Sequence, residues 1–177
     1  MNRRHVLIET NIRWLHQALS LLERIGDAAF ATSPAGMEPH RAGAHLRHII
    51  EFYQAFLEGV GAYHIDYDAR PRNPAIERSR AAASAAIRAV VQQLRTCPEL
   101  RFNAIVWVRM EDAPAETPEP FMESSVDREL QVLSSHTIHH FALIAMTLRL
   151  HGVDLPDDFG MAPSTLRYLA TRTAEAA

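Results

Sequence analysis

The chain has 177 residues, 47% hydrophobic and 22% charged, the balance of an ordinary globular protein. Its 18 basic and 21 acidic residues leave a net charge of -3, so nothing draws it to phosphate backbones and nucleic acid is not expected as a partner. Every basic residue is Arg, which excludes a Schiff-base or P-loop lysine, and the single cysteine, Cys97, excludes an intrachain disulfide.

This length suits one domain over residues 1–177, able to bury roughly 70% of the surface its unfolded chain would expose. The stretch from Met1 to Glu9 is charged and lacks the apolar core of a signal peptide. No apolar run approaches the roughly 18 residues of a membrane span, so a cytoplasmic protein with no membrane partner is expected.

Ile8, Ile12, Leu15, Leu19 and Leu22 recur at spacings of 4, 3, 4 and 3, the seam of a first helix running to about Ala29. Thr32 to Gly36 breaks it, and Pro39 suits the first turn of a second helix that ends near Gly59 or Gly61. That helix carries His45, His48, Ile49, Phe52 and Phe56 on neighbouring positions. Tyr63 to Arg72 has no helical period and reads as a loop. Asn73 and Pro74 form an N-cap and first-turn pair for a third helix, with Ile76, Ala83, Ile87, Val90 and Leu94 as its inner stripe and Pro98 as its stop.

Arg101 to Met110 is rich in β-branched and aromatic residues and is followed by the Pro-rich segment Ala113 to Pro120. With Phe121, Met122 and Glu123 returning, it reads as a short hairpin inserted between helices three and four. Ser124 is expected to cap helix four, with Asp127 three residues on as a capping-box variant. Val126, Leu130, Leu133, Thr137, His140 and Ile144 repeat the apolar seam, which places His140 toward the core. Gly152 ends this helix, Pro156 prevents its continuation, and Ala162 to Leu169 forms a short capped helix. The fold class is all-α: a four-helix bundle with one hairpin.

His136 and His140 stand one above the other on helix four, about 40° apart in projection, and can grip one ion together. His139 lies roughly 100° round the helix and suits a supporting role. Facing helices of a bundle can complete such a site, and three protein ligands leave a position open for water or substrate. Helix two supplies the third ligand. His48 with His136 and His140 is the preferred set, and His45, one turn earlier, is the alternative donor. An all-imidazole site suits zinc, nickel, iron or copper. A di-iron centre would need repeated Glu-x-x-His, and a zinc protease His-Glu-x-x-His; neither pattern is present. Cys97 has no triad context. Glu129, Arg128, Asp68 and Arg70 are candidates to orient ligands or substrate, and Tyr53 is a candidate proton donor that also suits the core. His5, His16, His40, His64 and His151 are scattered and expected to be solvated.

Gly43-Ala44-His45-Leu46-Arg47-His48-Ile49-Ile50-Glu51, followed far downstream by His136 and His140 four apart, resembles the DinB and YfiT-like superfamily of metal-binding four-helix bundles. The resemblance covers most of the chain. Asp66 to Arg70, Arg128 to Leu130, Ser135 to His140 and Ala162 to Leu166 are similar to recurrent stretches of one branch of it. The resemblance implies a metal held by one helix-two histidine and the i, i+4 pair, which carries over to His48, His136 and His140. Many relatives follow the last ligand with Gly-Gln, whereas Phe141, Ala142 and Leu143 stand here.

Relatives include metal-dependent transferases and an isomerase that use low-molecular-weight thiols, and thiol-binding domains of sulfoxide synthases. The implied function is a three-His site for zinc, nickel or iron that activates a low-molecular-weight thiol or water toward a small-molecule substrate, as a thiol S-transferase or hydrolase. The alternative is a non-catalytic metal-binding or dimerising bundle, because helix four is apolar on nearly all sides from Phe141 to Leu148 and suits a homodimer contact.

Overall fold

In the computed structural model, which describes residues 3–109 and 121–175, the first apolar seam becomes α1 (Arg3–Arg24). Ile12, Leu15, Leu19 and Leu22 are all buried along it. The helix does not continue to Ala29 as expected. Gly26 takes an extended conformation and a separate short helix, α2 (Asp27–Ala31), follows with Asp27 in its first turn. An apolar stripe survives two non-helical residues, Ile25 and Gly26, so the seam alone does not reveal the break.

The second long helix, α3 (Ala42–Val60), starts three residues after Pro39, with Arg41 extended at its N-cap. Pro39 and His40 belong to the preceding turn, where the His40 amide donates to the Met37 carbonyl. Gly43 is required near this start, because a Cβ there would collide with the Glu77 carbonyl oxygen.

The expected loop after α3 contains a strand, β1 (His64–Asp66). Asn73 and Pro74 do begin a helix, and the Asn73 side chain accepts from the Ala75 amide. It is only the short α4 (Pro74–Arg78). Ser79 then leaves helical geometry and caps α5 (Arg80–Thr96) by accepting from the Ala82 amide.

The hairpin is present as β2 (Ile105–Arg109) paired antiparallel with β3 (Met122–Ser125). Met110 and the Pro-rich segment Ala113 to Pro120 lie outside the described residues. β1 joins the other edge of β2 in parallel, with His64 opposite Trp107, to make a three-stranded sheet.

The last long helix, α6 (Val126–Leu150), is capped one residue later than expected: Ser125 accepts from the Arg128 amide, while Ser124 donates to Glu129. Asp127 and Glu129 in its first turn favour the helix dipole. Gly152 stops it in the left-handed region at φ +75°. The tail helix, α7 (Pro163–Glu175), is longer than expected and begins at Pro163.

α6 packs on α1 and α3, and α5 packs on the same two helices, giving a bundle around Leu15, Ile50, Phe56, Ile87, Leu130 and Leu148. Each such side chain contributes about 1.5–3 kcal/mol of burial. No helix among the described residues is long and apolar enough to cross a membrane.

Candidate metal centre

The α3–α6 seam is where the histidines meet. His48 projects from α3 at the edge of its buried face, beside Ile49 and Phe52. His136 and His140 sit one turn apart on α6, flanking buried Thr137 and Phe141. All three rings are half-buried, between core and solvent.

One ring nitrogen from each of His48, His136 and His140 lies within 4.8 Å of the other two, so the group could bind a metal ion. His136 Nε2 is 3.1 Å from His48 Nε2 and 3.1 Å from His140 Nε2. Nitrogens bound to one ion at about 2.0–2.1 Å stand roughly 3 Å apart, so these separations suit shared ligation. The donor chemistry points the same way. An imidazole nitrogen has a single in-plane proton or lone pair and cannot make a well-aligned hydrogen bond to two other ring nitrogens at once, whereas a cation satisfies all three lone pairs together.

The protonation state is suitable too. Burial, followed by the neighbouring His136, His48, His45 and His139, pushes the His140 imidazole down to about pKa 2 and keeps it neutral, as a ligand must be. His45 is lowered by burial and then by His40 and His139.

His45 does not join the three-nitrogen group. Its Nδ1 lies 3.1 Å from Nδ1 of His140, the ring nitrogen other than the one that faces His136. The exposed His139 packs its ring against His140 with centroids 5.1 Å apart. His40, expected to be solvated, is exposed but stacks on His45 at 5.8 Å. His5 and His16 are exposed. His64 is exposed near the Ala62 carbonyl, and His151 Nε2 lies 3.1 Å from the Thr32 carbonyl oxygen.

The wall behind the cluster was not legible from residue types. The Phe52 ring lies 4.0 Å from that of His136, and Tyr67 stacks on Phe52 at 4.8 Å. The guanidinium of Arg70, buried beneath the surface, stands 4.3 Å above the Phe52 ring, a cation–π contact. Tyr67 donates its hydroxyl to Glu129, itself only 3% exposed. Glu129 and Arg70 thus lie in this wall, Glu129 accepting from Tyr67 and Ser124 and Arg70 standing over Phe52. Arg128 is exposed, and Asp68 pairs with Arg109 at 3.4 Å. Phe52 had one usable signal: it stands one helical turn after His48.

Residues 11–144, about three quarters of the chain, match the family model of the DinB superfamily. An FK506-binding protein 5 of Rhizopus delemar is 30% identical over 105 residues, covering 59% of this chain and 27% of that protein. The chain therefore spans about a quarter of that relative's length. No solved structure matches it.

Proposed function

The chain belongs to the DinB superfamily, and on that premise we propose that it is a metal-dependent enzyme whose His48, His136 and His140 hold one divalent ion. Zinc or nickel suits the three imidazoles first, with iron as the alternative. The observation that carries this reading is the convergence of three ring nitrogens from two facing helices.

When bound in such a site, a divalent ion acidifies a coordinated thiol or water and so supplies a nucleophile near neutral pH. The chain's own contribution is placement. His136 and His140 come from consecutive turns of one helix, and His48 comes from its neighbour, so helix packing sets their spacing. Phe52 packs an apolar ring against His136, with centroids 4.0 Å apart. The three rings are half-buried, so each keeps part of its surface open to solvent. The reaction class proposed is S-transfer from a low-molecular-weight thiol, or hydrolysis of a small substrate by an activated water.

A specific observation favours a second reading, a metal-binding or dimerising bundle without turnover. Met146 and Leu150, near the end of α6, are 55% and 61% exposed, apolar surface suited to a second copy.

The test is metal content by elemental mass spectrometry on untagged protein, with H48A and H140A variants that remain folded by circular dichroism. Near-stoichiometric metal, lost in both variants, is expected. Metal absent from the wild type even after reloading would overturn the reading. Thiol consumption or ester hydrolysis by loaded protein then separates the two readings: turnover supports the enzyme, and none in either panel, with a dimer by light scattering, supports the binding module.

A further inference from the structure

Each of the two ring nitrogens of His140 faces another imidazole. Its Nε2 lies 3.1 Å from His136 Nε2, and its Nδ1 lies 3.1 Å from His45 Nδ1. A hydrogen bond between two imidazole nitrogens carries one proton, so the Nδ1 pair has two arrangements. With the proton on His45, the His140 Nδ1 accepts, and a neutral His140 holds its own proton on Nε2, the atom aimed at the other histidines. With the proton on His140 Nδ1, its Nε2 presents a lone pair to them. Only the second arrangement makes Nε2 a ligand.

We infer that His45 is a positioning residue: its Nδ1 accepts the Nδ1–H of His140 and holds that ring in the tautomer that offers Nε2 to a cation shared with His48 and His136. This rests on the metal-site reading above and gives His45 a task other than ligation. The proton of His45 then sits on its own Nε2.

The surroundings suit the role. His45 stands one turn before His48 on α3, so one rigid helix places both a ligand and the acceptor that orients another ligand. The His40 ring lies parallel to His45, with only 6° between their planes, and packs against one face of it. Acceptors of this kind in metal sites are commonly carboxylates or carbonyls. A neutral imidazole brings no negative charge, so it pushes less electron density into His140 than a carboxylate would. An ion held by the three histidines would therefore keep more of the Lewis acidity that acidifies a bound thiol or water.

The experiment compares zinc affinity, by chelator competition, in the wild type, H45N and H45F. Asn places an acceptor oxygen near the position of the imidazole Nδ1, whereas Phe keeps a ring without an acceptor. Zinc binding is expected to weaken by about 10–100-fold in H45F and to stay within about threefold of wild type in H45N. In ¹⁵N-histidine-labelled wild type loaded with zinc, a coupling across the hydrogen bond is expected between the Nδ1 atoms of His45 and His140, with the proton bonded to His140. These spectra decide the matter even if H45F does not fold. A proton on His45 Nδ1, or undiminished zinc affinity in folded H45F, overturns the positioning role alone. A wild type that takes up no zinc overturns the metal-site reading and this inference together.

Discussion

The hydroxyl of Tyr53 on α3 donates to Asn11 Oδ1 on α1 at 2.7 Å, with both residues wholly buried. Asn11 passes the connection on by donating to the carbonyls of Leu7 and Leu130, and Thr137 Oγ1 lies 3.1 Å from the phenol oxygen. Three of the four long helices are thereby tied at one polar node, whose α6 member adjoins His136 in sequence. Tyr53 is thus a structural group rather than the proton donor its place on α3 suggested. Burial raises its pKa and holds it protonated.

Replacing Tyr53 by Phe removes the donor to Asn11 and leaves a buried amide oxygen without it. The expected cost is about 1–3 kcal/mol, read as a lower urea midpoint at unchanged slope. Metal stoichiometry is expected to stay at the wild-type value. An unaltered midpoint would mean that the node contributes nothing to stability.

Alkaline stability follows from the same chemistry. Burial, then the adjacent Glu129 carboxylate, holds the Tyr67 pKa well above the usual phenol range, and Tyr53 is raised as well. Above about pH 10 the unfolded chain releases these protons and the folded chain keeps them, so the unfolded state binds fewer protons and stability falls as pH rises. In an absorbance titration at 295 nm, Tyr53 and Tyr67 are expected to ionise only together with unfolding. The Y67F variant should flatten the alkaline loss of stability; the same slope in variant and wild type would contradict the assignment.

Cys97 is expected to be inert. Burial and its hydrogen bond to Glu99, at 3.1 Å, push the thiol pKa up. At pH 7.5 iodoacetamide should therefore alkylate the native protein about tenfold or more slowly than the urea-unfolded chain. C97S should retain fold and metal content. Alkylation equally fast in both states would place the thiol in a different environment.

The residues that could be read in advance are those whose signal is local. A 4, 3, 4, 3 stripe is a property of one helix, and Ile12, Leu15, Leu19 and Leu22 are buried as it requires. The His136–His140 pair is likewise local, and His48 entered as the preferred of two helix-two donors, a choice to which the resemblance also leads. What stayed hidden depends on distant contact. His64–Asp66 is too short and too polar to show a period, and it is a strand because β2 lies beside it. The wall of Phe52, Tyr67, Arg70 and Glu129 joins α3, the segment after β1 and α6, so no window of sequence contains it. Boundaries slipped where neighbouring residues had equal chemistry: Ser124 and Ser125 can each cap a helix, and only the fold sends one of them to Glu129.

The parallel pairing of β1 has a consequence for the order in which the molecule assembles. β2 and β3 are antiparallel partners, whereas β1 meets β2 only after the chain has passed through α4 and α5. The bond from the Trp107 amide to the Tyr63 carbonyl closes a loop that runs through α4 and α5, so it carries a larger entropic cost than the antiparallel β2–β3 pairing. Tyr67 and Arg70, immediately after β1, lie on Phe52 of the helix just before it, so this contact spans only a short stretch of chain. The Phe52–Tyr67 part of the backing behind His136 thus closes a short loop, while the sheet beside it closes a long one through α5.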